Sequence, residues 1–139
     1  MESIAVIFWS GTGNTATMAQ EVVAGTGGQA KLINVTDTNA DEAAAYDKLA
    51  LGCPSMGDEV LEEDEMEPFF TALEGKISGK KVVLFGSYDW GDGQWMRDWA
   101  ERTKKAGAVL AADPLIVNLS PDADGKAKCR GLGKALADA

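Results

Sequence analysis

The sequence predicts an α/β fold, with helices covering both faces of a parallel sheet. Three observations point there. Apolar runs and helical patterns alternate five times along 139 residues, and that alternation builds parallel strands joined by helical crossovers. Several of the apolar runs are continuous, as strands read when both sheet faces are buried. Each run leads into a Gly/Ser/Thr/Asp turn before the next helical pattern. No repeat, low-complexity tract or linker interrupts this rhythm, so residues 1–139 are expected to form a single domain.

The first strand is predicted over Ile4–Trp9, followed by the turn Ser10–Thr15. The first helix carries Met18, Ala19, Val22 and Val23 on one face and ends near Gly25. A second strand, Leu32–Val35, is broken by Asn34. The second helix begins at Asn39, with Glu42 at capping-box spacing. The third strand, Leu49–Cys53, leads into the turn Pro54–Glu59. The third helix shows Met66, Phe69, Phe70 and Leu73 at helical spacing, with Pro68 tolerated in its first turn. The fourth strand, Val82–Phe85, precedes the turn Ser87–Gly93. Trp95, Met96, Trp99 and Ala100 mark the fourth helix, where i, i+4 spacing reads as core packing. The last strand, Val109–Val117, is interrupted at Asp113-Pro114. The fifth helix, with Leu132, Ala135 and Leu136, has the weakest pattern, because Gly131 and Gly133 lower its propensity.

Composition removes whole classes of chemistry. The chain has no histidine, which excludes Ser-His and Cys-His nucleophile pairs and His-ligated metals. Two cysteines, Cys53 and Cys129, cannot complete a structural zinc site or hold an iron–sulfur cluster, and both read as reduced, buried packing. The longest apolar run is six residues, too short to span a bilayer. The start lacks the basic region of a signal peptide, so a cytoplasmic protein is expected. Net charge is −9, and residues 1–75 carry −12 of it while residues 76–139 carry +3. Seven of the ten residues from Asp58 to Glu67 are acidic. Such a face repels nucleic acid and anionic lipid and suits a basic protein surface; plain solvation is the competing reading.

Ligands in this fold class bind beyond the carboxyl ends of the strands, so the three turns carry the function. In Ser10-Gly11-Thr12-Gly13-Asn14-Thr15, two glycines permit a tight turn with inward N–H groups. Hydroxyls, an amide and the helix start complete a phosphate cradle that has no lysine or arginine. A P-loop would need Lys after Gly13. A dinucleotide fingerprint formally fits Gly11, Gly13 and Ala16, with Asp37 as the ribose acid, but matches at few positions. A receiver domain would need Asp where Cys53 stands. Met56 is a polarisable side chain able to lie on a ring face, and Gly57 permits positive φ. Trp90, on a loop between an acid and a glycine, reads as a binding surface. Together the turns describe a slot for a phosphorylated flat ring.

These motifs resemble the three FMN-binding loops of flavodoxins. They are the Ser10–Thr15 cradle, Gly52-Cys53-Pro54 with Met56-Gly57-Asp58-Glu59, and Gly86-Ser87-Tyr88 with Trp90-Gly91-Asp92-Gly93. The match is closest to the short-chain, clostridial-type group and covers essentially the whole chain. It implies a three-layer α/β/α sandwich whose five-stranded sheet runs 2-1-3-4-5, and non-covalent FMN as cofactor. By resemblance, Ser10, Thr12, Asn14 and Thr15, with N–H groups around Gly11 and Gly13, would hold the phosphate. Pro54 and Ser55 would belong to the second loop, Met56 would lie on the inner ring face and Trp90 on the outer. The Gly57–Asp58 peptide would face flavin N5, Glu59 would accept from N3–H, Ser87 and Tyr88 would belong to the third loop, and N–H groups around Asp89 and Gly91 would meet the N1/O2 edge. Asp89 departs from the family's usual glycine.

The implied function is low-potential one-electron transfer on FMN, cycling between semiquinone and hydroquinone, by a monomer without a substrate site of its own. Basic redox partners, ferredoxin-dependent oxidoreductases and reductases, would dock near Asp58–Glu67. A flavoenzyme on the same fold, such as a quinone or NAD(P)H reductase, is the competing reading. It needs longer loops or a dimer partner.

Overall fold

The computed structural model describes residues 3–57 and 59–139. The apolar runs form parallel strands: β1 (Ile4–Phe8), β2 (Lys31–Asn34), β3 (Lys48–Gly52), β4 (Lys81–Tyr88), β5 (Val109–Leu110) and β6 (Leu115–Asn118). Their order is β2-β1-β3-β4, and β5 and β6 share the fifth position. The strand predicted over Val109–Val117 is therefore two pieces on one partner. β5 pairs Val109 and Leu110 with Lys81 and Val82, and β6 pairs Leu115–Asn118 with Phe85–Tyr88. Pro114 lacks an N–H for the ladder, and the intervening residues loop out. With β6 as a partner, β4 runs on through Ser87 and Tyr88, beyond the predicted end at Phe85.

Helices α1 (Asn14–Gly25), α2 (Ala40–Ala44), α3 (Met66–Leu73), α4 (Gln94–Lys105) and α5 (Ala123–Asp138) cover the sheet. Side chains alternate across it, as the strand period requires. Ile7, Leu49, Leu51 and Leu84 pack with Phe70, Trp95 and Trp99 beneath α2, α3 and α4. Val6, Ala50, Val83 and Phe85 pack with Met18, Val22, Cys129 and Leu136 beneath α1 and α5. Trp95 and Trp99 are buried, as their spacing predicts. Trp95 Nε1 donates to the Cys53 carbonyl at 3.1 Å, and Phe70 meets Trp99 edge-on at 5.8 Å.

Packing gives several residues roles that the sequence alone does not assign. The helix with the weakest pattern, α5, spans 16 residues. Its glycines serve packing: a Cβ on Gly133 would collide with the Val22 carbonyl, and one on Gly25 with the Arg130 backbone. The two helices cross at a distance that only glycine allows. Asn39 does cap α2, accepting from the Glu42 N–H at 2.9 Å, as the capping box predicts. Within the acidic stretch, however, Glu62 is only 5% exposed. Its carboxylate accepts from the N–H groups of Asp64 (2.7 Å), Glu65 (2.8 Å) and Met66 (3.0 Å), closing the open start of α3. Glu67 is also engaged, in a two-pronged pair with Arg102 at 2.7 and 2.9 Å. Arg102 also holds Glu74 at 3.0 Å and lies over the Phe70 ring. β3 begins one residue before its predicted start, at Lys48, which is 2% exposed. Its Nζ donates to the Ala137 and Ala139 carbonyls at 2.9 and 2.8 Å, where a cation complements the α5 dipole.

Candidate functional site

β2 and β3 flank β1 on opposite sides, so the switch in strand order falls between β1 and β3 at the carboxyl edge. The loop after β1 turns at Gly13, whose φ is 98°. Gly13 N–H donates to Ser10 Oγ at 3.0 Å, and no side chain caps α1. The first-turn N–H groups of α1 are thus left for an anion. Thr15 and Ser87 share a buried hydroxyl–hydroxyl hydrogen bond at 3.0 Å, which ties this loop to β4.

The loop after β3 is anchored by Cys53 N–H on the Phe85 carbonyl (3.1 Å) and Ser55 N–H on the Ser87 carbonyl (3.0 Å). Met56 and Val60 then pair antiparallel, at 3.0 and 2.9 Å. Inside that turn Gly57 has φ 49° and Glu59 φ 56°; Asp58 lies outside the described residues. Glu59 Oε1 accepts from Gly93 N–H (3.0 Å) and Gln94 N–H (3.1 Å), capping α4 and fastening this loop to the next. Burial pushes the Cys53 thiol up to about 12, with the Glu62 charge adding to the effect. The thiol is therefore a packed neutral group, as the sequence suggests.

After β4, Tyr88 packs its ring on Trp95, 5.9 Å between centroids. Asp89 is exposed and Trp90 is 58% exposed. Gly91 and Gly93 hold φ of 91° and 95°. Asp89 is not among the positive-φ residues, so the loop accepts it without the strain that a glycine position would impose.

These loops enclose a cleft of about 290 Å³, near the lower end of the range for small-ligand sites. Gly11, Thr12 and Asn14 from the loop after β1, Pro54, Ser55 and Met56 from the loop after β3, and Ser87, Tyr88 and Asp89 from the end of β4 line it. Among the described residues, no basic side chain lines it. Ser10, Gly13, Thr15, Gly57, Glu59, Trp90 and Gly91 shape or flank the walls rather than line them. Glu59 faces α4, and Trp90 stands exposed beside the cleft. Two lining residues, Trp9 and Leu119, were not among the predicted site residues. Trp9 ends the first apolar run beside the cradle, a position that could have signalled it. Leu119 has no local motif. A larger hollow of about 570 Å³ lies between α4 and the Pro114–Ile116 segment but has none of the cradle's hydroxyls or open N–H groups.

The flavodoxin family model matches residues 6–133. The chain belongs to the flavodoxin family. It is 51% identical over 136 residues to a flavodoxin from Clostridium beijerinckii, covering 96% of this chain and 98% of that one. It is 46% identical over 139 residues to one from Megasphaera elsdenii, covering 98% and 99%. The solution structure of the two-electron reduced Megasphaera elsdenii flavodoxin superposes with a TM-score of 0.89 at 45% identity, over 98% of this chain and 99% of that one. These relatives place the chain among the short-chain flavodoxins. Its cofactor is FMN, and its role is electron transfer to and from redox partner proteins.

The residues of this flavodoxin fit that cofactor. The uncapped α1 start and the Ser10–Thr15 loop suit a phosphate held by hydrogen bonds alone. Met56, Pro54 and Tyr88 supply apolar faces for a ring. Among the described residues, no group of three or more His, Cys, Asp or Glu is placed to hold a metal ion. No helix among them is long and apolar enough to cross a membrane.

Proposed function

We propose that this flavodoxin is a low-potential one-electron carrier that cycles FMN between semiquinone and hydroquinone, as a cytoplasmic monomer without a substrate site of its own. The observation that carries this reading is the cleft itself. It is small, open at the carboxyl edge and walled by three tied loops.

Ser10, Thr12, Asn14 and Thr15, with the N–H groups around Gly11 and Gly13, would hold the phosphate. Pro54, Ser55 and Met56 would form the inner wall. Ser87, Tyr88, Asp89 and Gly91 would meet the far edge of the ring, with Trp90 able to close over its outer face. Gly57, at φ 49°, has the backbone freedom to turn its carbonyl toward a protonated ring nitrogen. Asp58 would follow that turn. Glu59 would reach the ring only by sharing or leaving its α4 cap. The protein shapes the potential and FMN supplies the redox chemistry.

Basic partners, such as ferredoxin-dependent oxidoreductases and reductases, would dock on the acidic segment next to this edge. Its exposed members Glu63, Asp64 and Glu65 remain available, whereas Glu62 is committed to α3. Stepwise anaerobic reduction of the FMN-loaded protein tests the proposal. A long-wavelength band that accumulates and then bleaches is the expected result. Direct conversion of oxidised to fully reduced flavin would instead indicate a two-electron flavoenzyme.

A further inference from the structure

Leu119 follows β6 and is 52% exposed. Its φ is 58°, and among the described non-glycine residues only Glu59 shares a positive value. In that region the Cβ of an L-residue crowds the following carbonyl, so leucine is disfavoured there. Two hydrogen bonds impose the geometry: Leu119 N–H donates to the Tyr88 carbonyl at 2.7 Å, and Asn118 Nδ2 donates to the same oxygen at 3.2 Å. The side chain lines the cleft with Tyr88, Asp89, Pro54 and Met56. Strained backbone held by its surroundings tends to collect at ligand clamps, and an exposed leucine is favourable where a ligand covers it.

Its position in the sheet says which side of the cleft it walls. β6 stands three strands from β1, counting β3 and β4 between them. At the usual strand spacing that is roughly 14 Å from the start of the phosphate cradle. The cradle itself spans most of that distance, since Thr15 meets Ser87 on β4 at 3.0 Å, so Leu119 walls the side of the cleft formed by Tyr88 and Asp89.

We infer that Leu119 is a fourth-loop cofactor contact: its side chain forms an apolar wall against the bound FMN and so sets the affinity. This rests on reading the cleft as the FMN site. The αL backbone aims the side chain, and FMN buries it.

The test is FMN titration of the apoprotein, followed by quenching of flavin fluorescence, for wild type, Leu119→Ala and Leu119→Met. Urea unfolding of each apoprotein runs alongside. Leu119→Ala should raise the Kd by on the order of tenfold, about 1.4 kcal/mol, since part of a leucine burial is lost. Leu119→Met should stay within about twofold of wild type, because methionine fills the same wall. The apoprotein urea midpoints should coincide, because the side chain is half exposed until FMN covers it. Equal affinity of wild type and Leu119→Ala would overturn the inference, and so would an equal loss in both variants. A wild-type chain that fails to quench FMN would overturn the cleft assignment, and this inference with it.

Discussion

Glu62 Oε2 accepts the Met66 N–H at 3.0 Å, so an acid from the most charged stretch of the chain is the cap of α3. The same carboxylate also receives Asp64 and Glu65 N–H. Hydrogen bonds to a charged group contribute about 1.5–3 kcal/mol, and this one faces the positive end of a helix. Glu62→Ala should lower the urea unfolding free energy of the apoprotein by about that amount. Glu62→Gln should cost less, because the amide oxygen still accepts. An unchanged midpoint in the alanine variant would remove the cap.

Docking should then depend on Glu63, Asp64 and Glu65, which are exposed. Neutralising all three to Gln, Asn and Gln should leave stability and FMN affinity near wild type. Electron transfer to a basic redox partner should slow several-fold at low ionic strength, and the two proteins should converge at high salt. Stopped-flow rates across a salt series read this directly. Identical rates and slopes would place the docking face elsewhere.

Two glycines two residues apart in α5 should respond in opposite directions. A Cβ on Gly131 meets nothing within 4 Å, so Gly131→Ala should stabilise by about 0.8–1 kcal/mol through helix propensity. At Gly133 the added methyl collides with the Val22 carbonyl, and overpacking of about 1–3 kcal/mol outweighs the propensity gain. Thermal or urea unfolding of the two variants decides it. Stabilisation by both would mean that the α1–α5 crossing has slack.

That pair shows where the sequence stops being legible. Continuous apolar runs, helical stripes and capping residues are local signals, and they locate the sheet, α1 to α5 and the three loops. What a glycine or an acid does depends on residues far along the chain. Gly133 lowers helix propensity until Val22 is placed beside it, and Glu62 reads as solvated charge until the chain folds back from Met66. Pro114 marked a break in the last strand but not that both pieces would share β4. At the site, the motif residues of the cradle were readable. Leu119 was not, because its role comes from a backbone bond to Tyr88 across the sheet. Glu59 was readable as a loop acid, but its cap on α4 needs Gly93 to be brought within 3.0 Å.

Burial raises both thiols, Cys53 to about 12 and Cys129 to about 11, from an ordinary 9.0. The folded protein therefore favours the neutral thiols, and this stability is fully present below the unfolded value. It is lost as pH rises from about 9 through the folded values, because only the unfolded chain releases the protons there. Stability should fall with pH in that alkaline window. Neither thiol should react with an alkylating reagent at pH 8 until the protein unfolds, and mass spectrometry of alkylated native protein checks this. Rapid labelling of native Cys53 would contradict its burial.

Asp89 places a carboxylate on the cleft wall. Its backbone needs no positive φ, so the consequence of this residue is electrostatic. Full reduction adds negative charge to a cofactor that already carries phosphate, and a fixed carboxylate opposes it. At roughly 10 Å in water-like dielectric one such charge costs about 0.4 kcal/mol. A tenfold change in a one-electron equilibrium is about 59 mV, so this cost corresponds to about 18 mV before salt screening. Asp89→Asn keeps the side-chain size and removes the charge. The midpoint potential of the more reducing couple should rise by about that amount, and the shift should shrink as ionic strength increases. Asp89→Gly should show the same sign, because the charge rather than the backbone is responsible. Potentiometric titration of the three FMN-loaded proteins gives the answer, and a fall in potential on neutralisation would show that Asp89 acts through loop conformation instead.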